Sequence, residues 1–123
     1  AGRIEELSLA RSAVTDAAMM QMPAMPVART VRLDNTGLTD IGIIAVLSRT
    51  LEAESVNLVS TGATDTVFAM LAKLPNLKRA YVFDTKVTAQ GIDEFRARRP
   101  GVQIVVGEAV PGTSGTAGPP VVP

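Results

Sequence analysis

Four segments of the chain share one pattern of apolar and polar positions. Each segment is centred on a threonine that follows a small or branched apolar residue. These threonines are Thr15, Thr39, Thr64 and Thr88, and they lie 24, 25 and 24 residues apart. Self-similarity at a spacing of this size predicts a repeat architecture, in which one structural unit is built several times.

Apolar side chains stand at fixed distances before each repeated threonine. Three apolar positions recur, and the two that lie nearest to the threonine alternate with other residues, which predicts a short, half-buried strand. The three apolar columns are Ile4, Ala28, Ala53 and Leu77; Leu7, Val31, Val56 and Ala80; and Leu9, Leu33, Leu58 and Val82. We expect parallel strands near residues 6–10, 30–34, 55–59, 79–83 and 102–106.

The residues after each threonine have helical spacing. The apolar positions of these segments are Met19 and Met22; Ile43, Val46 and Leu47; Phe68, Leu71 and Leu74; and Ile92 and Phe95. Each threonine is expected to act as the N-cap of its helix. Val14, Leu38 and Val87 complete the predicted core. A column of hydroxyl residues, Ser12, Thr36, Thr61 and Thr85, is expected to face inward and to bond to the backbone.

The combined pattern, L-x-x-L-x-L-x-x-(S/T)-x-(V/L)-T-D-x-G-(L/I), resembles the leucine-rich repeat family. The match is with its bacterial, planctomycete-like subclass, in which Ser or Thr replaces the usual Asn, and residues 31–43 and 77–88 carry it most clearly. The resemblance implies an α/β solenoid of four strand-turn-helix repeats plus a closing strand, with a parallel β ladder on the concave face. It assigns residues 1–107 to the repeat domain and residues 108–123 to a Pro/Gly-rich extended tail.

Composition narrows the possible functions. The 123-residue chain contains no Cys and no His, which excludes disulfides, thiolate or imidazole metal sites and histidine general bases. Twelve basic and twelve acidic residues balance, so the sequence lacks the basic field of a nucleic-acid binder. No apolar run has the length of a membrane span. We therefore expect no catalytic residues, no cofactor, no nucleic-acid partner and no transmembrane segment in this chain.

The candidate partner-binding residues lie between the apolar strand positions, which the resemblance places on the concave face. They are Arg32, Asn57, Arg79, Tyr81 and Phe83. Tyr81 is the only tyrosine, and together with Arg79 and Phe83 it groups residue types that are enriched at interface hot spots. An equally good interpretation is that these aromatic residues cover the end of the ladder beside the closing strand.

The two ends of the chain suggest a larger assembly. Residues 108–123 contain four Pro and no regular pattern, so ordering them requires compensating contacts. We expect this tail to run across another polypeptide through Val110, Val121 and Val122, with a flexible linker as the alternative. The first strand begins by Ile4 without a polar cap, so preceding sequence or a partner is expected to cover its edge.

Three further residue clusters have both structural and functional interpretations. The methionines between Met19 and Met25 favour core packing over copper binding or flexible docking. The repeated Asp16, Asp40 and Asp65 favour helix-end electrostatics over a cation ladder. The basic residues of the last two repeats favour a solvated face over a surface for acidic partners or lipid headgroups; they are Lys73, Lys78, Arg79, Lys86, Arg96, Arg98 and Arg99.

The sequence thus predicts a non-catalytic module for protein–protein interaction, an accessory subunit of a larger assembly. The resemblance implies a periplasmic or membrane-bound, cytochrome-containing electron-transfer complex at the periplasmic or extracellular face of a bacterial membrane, although a cytoplasmic location stays open. One alternative is a fragment of a larger c-type cytochrome or enzyme whose active domain lies outside this chain. Another is a ligand-binding domain with a pocket around Tyr81.

Overall fold

A computed structural model describes residues 3–21 and 27–106 of the chain. The described residues form an α/β fold with a five-stranded, all-parallel sheet and four helices. Strands and helices alternate along the chain as β1 (Arg3–Ser8), α1 (Asp16–Met20), β2 (Val27–Arg32), α2 (Asp40–Leu47), β3 (Ser55–Asn57), α3 (Val67–Leu71), β4 (Arg79–Tyr81), α4 (Ala89–Arg98) and β5 (Gln103–Val105).

The strands lie in the sheet in the order in which they occur in the sequence, and every neighbouring pair is parallel. The register aligns one predicted apolar column across the whole sheet: Leu7, Val31, Val56, Ala80 and Ile104. The predicted pairing is therefore confirmed. β1 to β4 end two residues before the predicted limits and β5 ends one residue before, although the hydrogen bonds from Leu33 N to Asn57 O and from Leu58 N to Tyr81 O continue the ladder one step further.

The helices cover one face of the sheet and enclose an aliphatic core. The inner columns are buried as predicted, and Leu33, Leu38, Val56, Leu58 and Leu71 are completely inaccessible to solvent. The prediction of full burial is wrong for Leu7, Leu9, Val14 and Val87, which are half-buried. These residues belong to the first and last units, where a neighbouring unit of the described chain packs on one side only. The side chain of Ile4 lies outside the described residues.

The strand-to-helix turns repeat one unusual backbone conformation. Arg11, Asn35, Ser60 and Asp84 have φ between 56° and 61°, the left-handed region that side chains other than glycine adopt at a cost. The amide of Asn35 donates to Val59 O at 2.9 Å, and Ser60 N donates to Phe83 O at 3.1 Å. Arg11 N donates to Asp34 O at 2.9 Å in the same way, so in these three units the strained residue is bonded to the turn that follows the next strand.

The side chains of the hydroxyl column make hydrogen bonds within the same turns. The hydroxyls of Thr36, Thr61 and Thr85 donate to the carbonyl three residues earlier at 2.7 to 2.8 Å, as predicted. Thr36 and Thr61 are buried and Thr85 is half-buried. Ser12 makes the equivalent bond to Leu9 O at 2.6 Å but is exposed, which corrects its predicted inward position. Its unit is the outermost one, so no neighbour covers this turn.

The repeated aspartates bind the threonine of the following unit. Asp16 accepts hydrogen bonds from Thr39 N at 2.9 Å and from the Thr39 hydroxyl at 2.6 Å. Asp40 accepts from the corresponding groups of Thr64, and Asp65 from those of Thr88. The prediction that these aspartates act through the charge at their own helix ends therefore covers only part of what they do. Their carboxylates join consecutive units.

The threonines cap their helices in only part of the chain. Thr15 accepts from Ala18 N at 3.2 Å and Thr88 from Gly91 N at 3.1 Å, as expected. The prediction is wrong for Thr39, whose hydroxyl donates to the preceding aspartate and makes no cap bond. At α2 the preceding unit supplies the cap, because Asp16 Oδ1 accepts from Gly42 N at 3.0 Å.

The start of α3 departs from the pattern for a steric reason. A Cβ atom at Gly42 or Gly91 would overlap the carboxylate of the preceding unit. Val67 stands at the equivalent position three residues after Thr64, and its Cβ prevents that close approach. Asp40 bonds only to Thr64, and α3 begins at Val67 rather than directly after Thr64. The prediction of a helix start at Thr64 is therefore wrong.

Truncation of an inner core residue tests the packing. We expect Leu58→Ala to lower the free energy of unfolding by about 2 to 5 kcal/mol, because Leu58 is fully buried and the surrounding columns cannot collapse onto the space. The adjacent variant Val59→Ala is the matched control, because Val59 is half-buried on the opposite face, and we expect it to cost less than about 1.5 kcal/mol. Chemical denaturation measures both, and equal midpoints for Leu58→Ala and the wild type would contradict the packing.

Acid titration tests the bonds between units. The Thr39 hydroxyl and amide lower the pKa of the Asp16 carboxyl below its ordinary value of 3.8. Because the folded state favours the charged form, this stabilisation is complete at neutral pH and disappears as the pH falls through the folded-state pKa. We expect Asp16→Asn to cost about 1 kcal/mol at pH 7, with a smaller cost below about pH 4.

The exposed Asp93, which lies on α4, supplies the control for that titration. Asp93→Asn should leave the acid limb of the stability curve unchanged. Urea denaturation between pH 2.5 and 7 measures all three proteins. A pH-independent difference between Asp16→Asn and the wild type would rule out the proposed stabilisation of the charged carboxylate.

Candidate functional site

The face of the sheet that is turned away from the helices carries the predicted partner-binding residues; we call it the open face. Buried and accessible positions alternate along β3, β4 and β5, so each strand turns one side into the core and presents the other on the open face. The register aligns two rows there: Glu6, Thr30, Ser55, Arg79 and Gln103; and Ser8, Arg32, Asn57, Tyr81 and Val105. The backbone of the three inner strands is paired on both sides, so side chains alone are available for binding.

Arg32 and Asp34 form a two-pronged ion pair on β2 and the turn that follows. Arg32 Nε donates to Asp34 Oδ1 at 3.0 Å, and Nη2 donates to Oδ2 at 2.8 Å. The Asp34 side chain is only 5% exposed, whereas that of Arg32 is 36% exposed. Burial alone would raise the pKa of Asp34, but the hydrogen bonds and charge of Arg32 outweigh it and lower that pKa. The carboxylate is therefore charged at neutral pH and fixes the guanidinium.

The other units have no charge at the position of Asp34. Ala10, Val59 and Phe83 stand at the equivalent positions, all of them apolar. The strand-to-helix turn can therefore be built without an ion pair. Sequence analysis identified Arg32 but not Asp34, although two opposite charges two residues apart on one strand face, together with this break in an apolar column, were a usable signal.

Asn57 lies at the centre of the open face, and its side chain is hydrogen-bonded to the nearby backbone. Its Oδ1 accepts a hydrogen bond from Val59 N at 3.0 Å, and the side chain is half-buried. The bond shapes the turn after β3. Asn57 therefore keeps its two amide N–H donors and one lone pair of Oδ1 for a partner.

Arg79, Tyr81 and Phe83 follow one another along the same side of β4, as predicted. Tyr81 is half-buried, and Phe83 is 38% exposed. Within residues 3–21 and 27–106, the side chains of Arg79 and Tyr81 make no hydrogen bond or ion pair. Val59 on one side and Val105 on the other are half-buried, so the rings of β4 lie in a mainly apolar area. Tyr81 and Phe83 are thus partly exposed, which both interpretations of these aromatic residues allow.

A row of alternating charges crosses the sheet near the start of the strands. Arg29 lies 3.8 Å from Glu5 and 3.9 Å from Glu54, and Lys78 lies 3.5 Å from Glu54. Such exposed pairs each contribute little to stability. They do neutralise the cations at this edge, so an incoming anion meets no unpaired charge there.

The basic residues of the last two repeats do not form one surface. Arg99 Nη1 donates to Ala72 O at 2.8 Å and to Leu74 O at 3.1 Å, which satisfies carbonyls at the end of α3. Arg96 donates to Ile104 O. Lys73, Lys86 and Arg98 are exposed. Arg96 and Arg99 are thus structural and Lys78 pairs with Glu54, so the solvated-face interpretation is the better one for Lys73, Lys86 and Arg98.

The helix side offers weaker candidates for a site. A groove of about 200 Å³ lies between α3 and α4 and is lined by Phe68, Phe95 and the carboxylate of Asp65, which already binds Thr88. Met19 is buried as predicted, whereas Met20 and Ile41 are 57% and 58% exposed. Met22 and Met25 lie outside the described residues, as do Val110, Val121 and Val122 of the tail.

Accessibility of the only tyrosine is directly measurable. The chain contains one Tyr and no Trp, so its tyrosine emission reports Tyr81 alone. We expect acrylamide to quench this emission in the native protein with about half the efficiency found in urea, because the side chain is half-buried. Quenching should not change in Ile41→Ser, a control on the helix side. Native emission that is fully protected from acrylamide would contradict an accessible Tyr81.

A metal cluster and a membrane-spanning helix are both absent from the described residues. Among the residues that the structure describes, no three His, Cys, Asp or Glu side chains cluster to hold a metal ion. Within the same ranges, no helix has the length and apolar character that crossing a membrane requires. A scan against protein-family models and a search of the curated proteins find no match to this chain.

Proposed function

We propose that this chain is a leucine-rich-repeat module that acts as a non-catalytic, protein-binding subunit of a larger assembly. The observation that carries the proposal is the open face, where Arg79, Tyr81 and Phe83 lie together without polar partners in the described chain. Accessible sheet surfaces that combine aromatic and arginine side chains suit protein recognition.

The assignment to the repeat family is supported by features that recur at the sequence period. Strand pairing, left-handed turn residues, hydroxyl-to-carbonyl bonds and carboxylate-to-threonine bonds all return every 24 or 25 residues. Among the described strands and helices, contacts join elements of the same unit or of neighbouring units only. This one-dimensional organisation is typical of repeat proteins.

The nature of the assembly rests on the sequence resemblance. We propose an exported bacterial complex that carries out electron transfer, with this chain at its periplasmic or extracellular face. The tail, residues 108–123, is proposed to contact the partner through Val110, Val121 and Val122. Its composition supports this role, because so few apolar residues cannot build a core of their own.

Site-specific photo-crosslinking in the bacterium that encodes the chain tests the proposal. A benzophenone amino acid is placed at Tyr81, at Phe83 or, as the matched control, at Ile41, which is exposed on the helix side. We expect one discrete crosslinked protein from positions 81 and 83 and none from 41. Equal products from all three positions, or no product from positions 81 and 83, would exclude the open face as the interface.

Deletion of residues 108–123 provides the second arm. We expect the crosslinked yield at position 81 to fall while the melting temperature of the repeat domain is unchanged. Deletion without effect on the yield would remove the tail from the interface.

A further inference from the structure

We propose that the open face binds a carboxylate on an extended segment of the partner protein, with Arg32 as the anchor and Asp34 as the residue that positions it. This inference rests on the proposed function, because the segment belongs to the protein partner. It goes further in naming the chemistry that is recognised: an acidic residue followed, at a defined distance, by an apolar one.

The guanidinium of Arg32 keeps one binding edge unused. Its five N–H donors include the two that are given to Asp34, one from Nε and one from Nη2. The remaining donors comprise both N–H groups of Nη1 and the second of Nη2. This outer edge matches the two oxygens of a carboxylate. The side chain is 36% exposed, so the edge is accessible.

Asp34 holds that edge in place before a partner arrives. The buried carboxylate bonds Arg32 at two points and so restricts a long side chain that would otherwise be mobile. A side chain that is already ordered loses less entropy on binding. Arg79 has no such support, and it is therefore the weaker candidate for the anchor.

The repeat itself shows that the ion pair is dispensable for folding. On β3 the equivalent pair of residues is Asn57 and Val59. The turn after β3 still has a residue with left-handed φ, Ser60, and the equivalent hydroxyl bond, from Thr61 to Leu58 O. Burying Asp34 costs desolvation that an apolar residue would avoid. A local departure from the repeat pattern that costs stability points to a functional role.

Glu6 is the other charged group that faces Arg32. It lies on the neighbouring strand, is exposed, and makes no hydrogen bond to Arg32 in the described structure. Its charge raises the pKa of Arg32, after the larger effects of Asp34. Glu6 therefore weakens the attraction for an incoming carboxylate without occupying the outer edge.

The apolar part of the site lies two strands away from Arg32. Tyr81 occupies the same row of the register, with Val59 and Phe83 close to it along the open face. Two strand spacings amount to about 10 Å. A peptide in the polyproline II conformation covers this distance in about three residues, with the side chains of positions i and i+3 on the same side. A segment that crosses the strands would place an acidic side chain on Arg32 and an apolar side chain, three positions along, on Tyr81.

Two synthetic peptides test the inference on the full chain. The probe is a ten-residue Gly/Ser peptide with one glutamate and, three positions later, one leucine; the matched peptide has glutamine in place of the glutamate. Tyr81 emission and two-dimensional ¹⁵N NMR follow the titrations. We expect the glutamine peptide to bind about fivefold more weakly, as is typical of a partly exposed ion pair.

Three variants assign that difference to the ion pair. The double variant Arg32→Asn with Asp34→Val copies the residues of β3, and it should melt at the wild-type temperature or above while binding both peptides equally. Glu6→Gln should strengthen binding of the glutamate peptide. Arg29→Gln, which removes an exposed arginine on the same strand, should leave the discrimination unchanged. Preference for the glutamate peptide that survives in the double variant would overturn the inference.

Occupation of the open face by this chain itself and failure of the proposed function would each give a result of their own. A peptide of residues 108–123 that displaces the probe, or a dimer that dissociates in the double variant, would replace the partner segment by this chain itself and overturn the inference. Crosslinks from Tyr81 that persist undiminished in the double variant would also overturn it while leaving the proposed function intact. Loss of crosslinks from the wild type would instead remove the proposed function.

Discussion

The bond from an aspartate carboxylate to the threonine of the next unit is the interaction on which the rest of the fold depends. It occurs at Asp16, Asp40 and Asp65, and each time it joins the residue after one repeated threonine to the next repeated threonine, 23 or 24 residues ahead. Because both the amide and the hydroxyl of the threonine are bound, it fixes distance and orientation together. The spacing between helices then follows the spacing between strands, and the core columns meet in register. Where the approach is blocked, at Val67, the local consequence is a later helix start rather than a change of topology.

The same constraint leaves the open face free for recognition. The hydrogen bonds that join the units lie on the helix side and in the turns, where carboxylates, hydroxyls and the strained backbone make them. The strand residues on the open face make few of these bonds. The side chains of Arg79 and Tyr81 make no hydrogen bond or ion pair in the described structure, whereas Arg32 and Asp34 form an ion pair with a buried carboxylate that the other units lack.

The repeat spacing predicted strand order, pairing and most of the core, because a period of 24 or 25 residues is visible in the sequence and parallel register follows from it. It could not predict contacts whose two partners belong to different units. The partner of Asp16 lies 23 residues ahead, so a local rule assigned the aspartate to its own helix. Nor could it predict the exposure of Ser12, since burial in a terminal unit depends on neighbours rather than on the residue. At the open face, the residue types of Tyr81 and Phe83 were sufficient, whereas Asp34 required knowledge of which side chains the turn buries.

Contacts limited to sequence neighbours have a consequence for how the molecule is made. Every pairing of strands or helices closes a loop of about one unit, and no pairing brings distant parts of the described chain together. Loops of this length close at a modest entropic cost. Each unit can add to the one before it as soon as its helix has left the ribosome. The growing chain then presents a single incomplete edge to other nascent proteins at any moment.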